Sequence, residues 1–260
     1  MTILHQGMRV DAGEIVQFPC LADNYGYLLV DSASFRAVAI DTPDPAKALE
    51  VLEERGWRLT YILNTHWHDD HVGGNVALKE ATGARIIAPA AERRRIPGID
   101  IGIRGGTVIF LGGLVIHAID TAGHTLGCLS YHVPGMEAVF TGDALFTMGC
   151  GRLFEGTPQT AWGGLRRLAE LSDETRVYSG HEYGFSNASF ALSLGDETER
   201  EVTARAQAIV MHRVSSTVPS TIGLEKRTNP FLRLPLAEQC VERQVDRFRE
   251  LRELKNDFRS

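Results

Sequence analysis

Imidazole and carboxylate groups are concentrated in one short run of this chain, Thr65-His66-Trp67-His68-Asp69-Asp70-His71. His66, His68, Asp70 and His71 offer four potential metal ligands within six residues. Mixed nitrogen and oxygen donors of this kind suit zinc, iron and manganese. The run follows an apolar strand candidate, Thr60 to Asn64. On an extended segment, residues two apart share a face, which places His66 and His68 together. Asp70 and His71 fall where the chain turns and can face a second ion. A solvated loop gives no reason for ligands at this density.

Three further candidates lie at turns after strand candidates: His124 in Thr121-Ala-Gly-His-Thr125, Asp143 in Phe140-Thr-Gly-Asp143, and His181 in Ser179-Gly-His181. Each has Gly immediately before it, which lets the backbone turn sharply and approach a crowded site. One such residue is an ordinary turn residue; three repeat a device. His5, His117, His132 and His212 lack this context and read as surface or packing groups.

Short strands must position these groups. Glu14 to Phe18, Tyr25 to Asp31, Arg36 to Ile40, Thr60 to Asn64 and Ala84 to Ala88 read as strands separated by Gly, Asp and Pro. Asp44 to Arg55 has helical spacing and ends at Gly56, and Val72 to Ala81 reads as a second helix. Strands return at Thr107 to Phe110, Leu114 to Ile119, Cys128 to Val133, Glu137 to Thr141 and Thr175 to Ser179, with a Pro-initiated helix from Pro158 to Leu171. Two packed sheets with helices on their outer faces bury such a pattern. From about Ser186 the strands stop. Glu197 to His212 and Leu236 to Leu254 are helical in pattern, with a loop expected over Thr217 to Pro235.

With 260 residues, the chain can bury a substantial core without disulfides. Cys20, Cys128, Cys150 and Cys240 are scattered, form no CxxC pair and read as reduced thiols. The net charge of -6, from 27 Lys and Arg against 33 Asp and Glu, gives no pull toward nucleic acid. No basic patch followed by an apolar run opens the chain, and no apolar stretch is long enough for a membrane span. The expectation is a cytoplasmic protein with no nucleic-acid or membrane partner, a monomer being favoured. No Gly-x-Ser-x-Gly elbow is present, and no cysteine lies in a nucleophile context, so water must be the nucleophile of any hydrolysis.

The set His66, His68, Asp70, His71, His124, Asp143 and His181 resembles that of the metallo-β-lactamase superfamily in order and spacing. The resemblance implies an α/β protein, an αβ/βα sandwich, with a small C-terminal helical domain here. It implies one metal at His66, His68 and His124, a second at Asp70, His71 and His181, and Asp143 bridging them. Two divalent ions are expected, zinc foremost, with iron or manganese as alternatives. More narrowly, the chain is similar to the glyoxalase II family of hydroxyacylglutathione hydrolases. The segments carrying this are Asp23-Asn-Tyr-Gly-Tyr-Leu-Leu29, Phe140 to Phe146, Gly149 to Gly156, Gly180-His-Glu-Tyr183, Asn229 to Arg233 and Lys255 to Arg259. The domains implied are a catalytic domain over 1-181 and a helical substrate-binding domain over 182-260.

Carried over by position, the glutathione-binding residues are Arg152, Phe154, Tyr183, Arg252 and Lys255. Arg152 stands where Lys is usual and Phe154 where Tyr is usual. The implied reaction is hydrolysis of S-(2-hydroxyacyl)glutathione, typically S-D-lactoylglutathione, to glutathione and a 2-hydroxy acid such as D-lactate, as in methylglyoxal degradation. Two metals lower the pKa of water to about 7 and hold hydroxide for attack. Asp70 and Asp143 are the catalytic carboxylates, Asp70 orienting the hydroxide as well as ligating. The thiolate leaves readily, so a dedicated general acid is less necessary. Two rivals stand beside this reading: a mononuclear iron persulfide dioxygenase and a non-catalytic protein on the same fold. Retention of all seven ligands and of the helical tail argues against both.

Overall fold

The structure, a computed structural model, describes residues 6–10, 13–31, 34–195 and 199–259. It divides into two compact units. One comprises residues up to 120 together with 127–142, the other 121–126 together with 143 onward.

In the first unit, β1 (Gln6–Val10), β2 (Gly13–Cys20), β3 (Asn24–Asp31), β4 (Arg36–Ile40), β5 (Arg58–Leu63), β6 (Arg85–Pro89) and β7 (Ile101–Ile103) form one sheet in that order. Strands β1 to β4 are antiparallel; β4 to β7 are parallel. Parallel neighbours need crossovers. Helix α1 (Pro45–Arg55) supplies the first, and α2 (Asp69–Val72) with α3 (Asn75–Thr82) the second. The Asp44 carboxylate caps α1 by accepting from the backbone N–H of Ala46 and Lys47, and Gly56 ends it in the left-handed region at φ 64°. Strands β8 (Val108–Leu111), β9 (Leu114–Asp120), β10 (Leu129–Val133) and β11 (Ala138–Gly142) make an antiparallel run.

Alternation along β3 explains the layering. Leu28 and Val30 face a cluster with Val51 of α1 and Leu78 of α3. Tyr27 points the other way and meets Phe140 of β11 edge-on at 5.2 Å. The Tyr131 hydroxyl donates to the Asn64 carbonyl at 2.7 Å, and Leu129 N–H to the Thr65 carbonyl at 2.9 Å. These bonds tie the β10 strand to the end of β5.

The second unit holds a two-strand hairpin, β12 (Leu145–Phe146) with β13 (Gly149–Cys150), and the pair β14 (Arg176–Ser179) with β15 (Ser220–Thr221). Its helices are α4 (Pro158–Ala169), α5 (Gly184–Ser193), α6 (Arg200–Val210), α7 (Ile222–Thr228), α8 (Pro230–Leu236) and α9 (Val241–Asp257). A mixed α/β architecture followed by a helical C-terminal region is therefore present, as expected.

Local corrections have physical causes. The helix expected over Val72 to Ala81 is two helices, broken at Gly73-Gly74, the pair of residues with least helical preference. The loop expected over Thr217 to Pro235 contains α7 and α8. Thr221 caps α7 by accepting from Leu224 N–H, and Asn229 caps α8 by accepting from Phe231 N–H. Both helices are too short for periodicity to show. Helix α5 was not anticipated. The expected start at Glu197 and the histidine His5 lie outside the described residues.

Candidate metal centre

In the first unit, the site is built at the carboxyl ends of β4 and β5. Their register pairs Ile40 with Leu63, so Asp41 emerges beside the segment that carries the histidines. The Asp41 carboxylate accepts from Thr65 N–H and from the Thr65 hydroxyl, both at 2.8 Å. It also lies 2.9 Å from His71 Nδ1. A carboxylate accepts only, so the His71 proton sits on Nδ1 and Nε2 is left as a ligand atom. Thr65 Oγ1, having donated to Asp41, accepts from His66 Nδ1 at 3.0 Å, which frees His66 Nε2 in the same way. Asn24 donates to Asp70 Oδ2 at 3.0 Å and orients that carboxylate.

His66 Nε2 faces His68 Nδ1 at 3.0 Å. Two ring nitrogens so directed need a proton or a cation shared between them. His71 Nε2 lies 3.5 Å from Asp70 Oδ2. His66 and His71 are buried, while His68 and Asp70 are half-buried. Thus His66, His68, Asp70 and His71 come together as the sequence suggested.

The second unit brings His124, Asp143 and His181 together, all buried. Asp143 Oδ2 lies 3.4 Å from His124 Nε2, and Asp143 Oδ1 lies 3.5 Å from His181 Nε2. One carboxylate oxygen is therefore aimed at each ring. Two ligand atoms, each about 2.0–2.1 Å from a shared tetrahedral ion, sit roughly 3.4 Å apart. The 3.4–3.5 Å spacings of His71 to Asp70, His124 to Asp143 and His181 to Asp143 match this value better than a direct hydrogen bond. His124 Nδ1 donates to the Arg152 carbonyl at 2.9 Å, fixing the tautomer that leaves Nε2 bare. Within each unit the donor set and its spacing fit divalent metal.

The Tyr183 ring stacks on His181 at 4.6 Å and 7°, and meets Phe146 edge-on. Phe154 packs edge-on against His124 and is 62% exposed, a wall open to solvent. Lys255 on α9 donates to the carbonyl and hydroxyl of Ser186, each at 2.9 Å. Burial, and then repulsion from Arg252 and Arg152, pushes its pKa down to about 8. Lys255 therefore feels the positive charges of Arg252 and Arg152. Arg152 is exposed, whereas Arg252 is 5% exposed and bonded within the protein. Cys150 is buried, and burial pushes its thiol pKa up, which unfits it as a nucleophile.

Sequence reasoning missed Asp41, Asn24, Thr65 and the Arg152 carbonyl as orienting groups. Asp41 alone carried a signal, an Asp directly after an apolar strand. Among the described residues, the remaining histidines, His117, His132 and His212, are not in these groups. His117 and His132 are cross-strand neighbours, and His212 stacks on Phe185. None of the four cysteines is in a disulfide.

Comparison with known proteins identifies the family. Residues 21–181 match the model of the metallo-beta-lactamase superfamily, and residues 182–258 that of the hydroxyacylglutathione hydrolase C-terminus. A hydroxyacylglutathione hydrolase of Hyphomonas neptunium is 48% identical over 86% of this chain and 88% of its own. Another, of Maricaulis maris, is 49% identical over 84% of this chain and 86% of its own. The crystal structure of ETHE1 from Myxococcus xanthus superposes with a TM-score of 0.64 at 24% identity, over 98% of this chain and 96% of that one. At that identity the likeness speaks for the fold.

Proposed function

This chain belongs to the hydroxyacylglutathione hydrolases of the metallo-beta-lactamase superfamily, and from that premise we propose its substrate and the division of labour in its site. It is an enzyme, a hydrolase of glutathione thioesters working through a metal-binding site. The substrate we propose is S-(2-hydroxyacyl)glutathione, typically S-D-lactoylglutathione, cleaved to glutathione and a 2-hydroxy acid in methylglyoxal degradation. The observation that carries the two-metal reading is Asp143, whose oxygens are directed one to each of two imidazoles.

In this reading His66, His68 and His124 would hold one ion, and Asp70, His71 and His181 the other, with Asp143 as a ligand common to both. Zinc is the proposed metal, with iron or manganese as substitutes, since mixed N/O ligands accept all three. When bound, the ions lower the pKa of a water to about 7 and polarise the thioester carbonyl. The chain's own groups do the rest. Asp41 and Thr65 lock the His71 and His66 rings, and Asn24 holds Asp70 where it can orient the attacking water. Residues 182–260 serve as the substrate-binding domain, following the catalytic domain of 1–181. Arg152 and Lys255 attract the carboxylates of glutathione, with Arg252 adding charge from below. Tyr183 and Phe154 flank the thioester. Among the described residues no helix is long and apolar enough to cross a membrane. We propose a cytoplasmic monomer.

The deciding experiment is hydrolysis of S-D-lactoylglutathione with metal content measured on the same sample. Two metals per chain and fast turnover are expected. One iron, with oxygen consumed and no hydrolysis, would sink the reading in favour of a dioxygenase. Phe154→Tyr adds a hydroxyl at an exposed wall, and one hydrogen bond of about 1 kcal/mol lowers KM roughly fivefold. An unchanged KM would show that Phe154 does not line the pocket.

Lys255 predicts a pH dependence. Its pKa is lowered to about 8, so the ammonium is charged below that pH and neutral above it. A carboxylate bound by the charged form is lost as pH rises through 8. KM should therefore climb roughly tenfold between pH 7 and 9, following the charged fraction. Lys255→Gln should raise KM at pH 7 and erase this step. Coincident wild-type and variant profiles would refute the assignment.

A further inference from the structure

The metal centre uses the carboxyl ends of β4 and β5. The opposite ends of the same strands carry a second concentration of charge. Arg36 opens β4, Arg58 opens β5 and Arg85 opens β6. Arg36 and Arg58 are direct neighbours in the parallel pairing, and Arg85 stands opposite Tyr61. All three arginines are exposed, and with Thr60 and Tyr61 they line one groove of about 250 Å³. No acidic residue is among the described residues that line it.

Like charges set side by side repel, and they destabilise the strands that carry them unless a counter-charge is shared between them. The described residues supply none. Among them, no side-chain hydrogen bond or ion pair engages Arg36, Arg58 or Arg85. The Asp100 carboxylate feels Arg85, but its oxygens bond Lys79 Nζ and the Ile86 N–H. Elsewhere this acidic chain gives arginines partners: Arg55 takes Glu14, Arg205 takes Glu225 and Arg227 takes Glu201.

A break in strand regularity shapes the groove. Ala37 pairs with Leu59 but Val38 with Tyr61, so Thr60 is an extra residue in β5, and its hydroxyl donates to the Ala37 carbonyl at 3.0 Å. In a regular strand, residues three apart face opposite ways. Here Leu59 and Ile62 enter the same core cluster, while Arg58 and Tyr61 line the same groove. Bulges re-aim side chains in this way and are over-represented beside functional sites.

We propose that this groove binds a small molecule carrying two phosphate groups. Guanidinium forks match phosphate oxygens bidentately. A phosphate monoester carries about −1.5 to −2 charge at neutral pH, which Arg36 and Arg58 together match and a single carboxylate does not. Arg85, one strand further on, serves the second phosphate. The half-buried Tyr61 ring supplies a wall for the organic part. A water takes about 30 Å³ of liquid, so the groove has room for roughly eight, more than a lone phosphate fills. Asp41 follows Arg36 by the length of β4, roughly 16 Å of extended chain, so this site is distinct from the metal centre.

The test is calorimetric titration of the metal-loaded protein at low salt with three probes: ADP, fructose 1,6-bisphosphate and citrate. The arginine Nε–H resonances are followed by proton–nitrogen correlation spectroscopy. At least one of the two phosphate probes should bind one to one with Kd below about 1 mM and move the signals of Arg36, Arg58 and Arg85. Tighter binding of ADP would point to a nucleotide as the source of the phosphates, and tighter binding of the sugar bisphosphate to a sugar. Arg58→Gln and Arg85→Gln should each weaken binding about tenfold, the loss of one charge-assisted contact. Arg58→Lys, which keeps charge but not the fork, should fall between. Thioester turnover in all three should stay within about twofold of wild type, since none of these residues meets the reacting atoms. Failure of both phosphate probes to bind would overturn the proposal. So would binding undiminished in Arg58→Gln and Arg85→Gln, which would place the probe at the metal centre or elsewhere. Citrate bound as tightly as the better phosphate probe would refute the ligand class. Should Arg58→Gln not fold, Arg85→Gln decides by the same comparison.

Discussion

Asp143→Ala should abolish thioester hydrolysis and leave the protein with one metal ion or none. The carboxylate presents Oδ2 to His124 at 3.4 Å and Oδ1 to His181 at 3.5 Å. Its loss removes the proposed bridge and a negative charge that offsets two cations. Lewis-acid stabilisation of a transition state amounts to several kcal/mol, and each 1.4 kcal/mol is a factor of ten, so kcat should fall roughly a thousandfold or more. His66→Ala should behave alike, because its Nε2 is left bare by the Thr65 bond and faces the His68 ring. Metal analysis after dialysis, alongside kinetics, checks both. Two retained ions with kcat within tenfold of wild type would show that Asp143 is not a bridge. Lost metal in an unfolded protein would be separated by circular dichroism: the buried cores under β3 and around Ala206 contain neither residue, so the variants should stay folded.

The ligands were legible because their chemistry is written in residue type and their placement in local pattern. His66 to His71 follow an apolar strand, and His124, Asp143 and His181 each follow a Gly at a strand end. The groups that aim them were not legible. Asp41 meets His71 only because β4 and β5 are parallel neighbours, a pairing between positions 30 apart that no local pattern announces. The carbonyl orienting His124 belongs to the backbone of Arg152, and backbone acceptors leave no trace in residue identity. Arg252, placed among the glutathione-binding residues by resemblance, is 5% exposed and bonded to the Cys150 carbonyl and to Asn256. Among the elements, α1 was readable from Asp44 to Gly56 because cap, periodicity and stop signal agree. Helices α7 and α8 were not, because each spans two turns and Asn229 serves as the end of one and the cap of the next.

Gly151→Ala should cripple the enzyme through one methyl group. The added Cβ would sit 2.0 Å from the Asp143 carbonyl oxygen, far inside van der Waals contact, and 3.1 Å from His124 Nδ1. Neither neighbour can yield cheaply. The first is backbone, and the second belongs to a ring held at 2.9 Å by the Arg152 carbonyl. Relief therefore requires the 150–152 segment to back away, which carries the Arg152 carbonyl off His124 and strains the Arg252 bond to Cys150. Overpacking of this kind costs about 1–3 kcal/mol of stability, and disturbing an orienting partner typically costs 10–100-fold in metal affinity or activity. We expect kcat to drop about a hundredfold and zinc to bind at least tenfold more weakly, with KM less affected because Lys255 keeps its Ser186 anchor. Kinetics, chelator competition and a melting curve on the same preparation measure all three. A Gly151→Ala enzyme with wild-type kcat and zinc affinity would mean that this segment has slack and that the Arg152 carbonyl does not set the His124 ring.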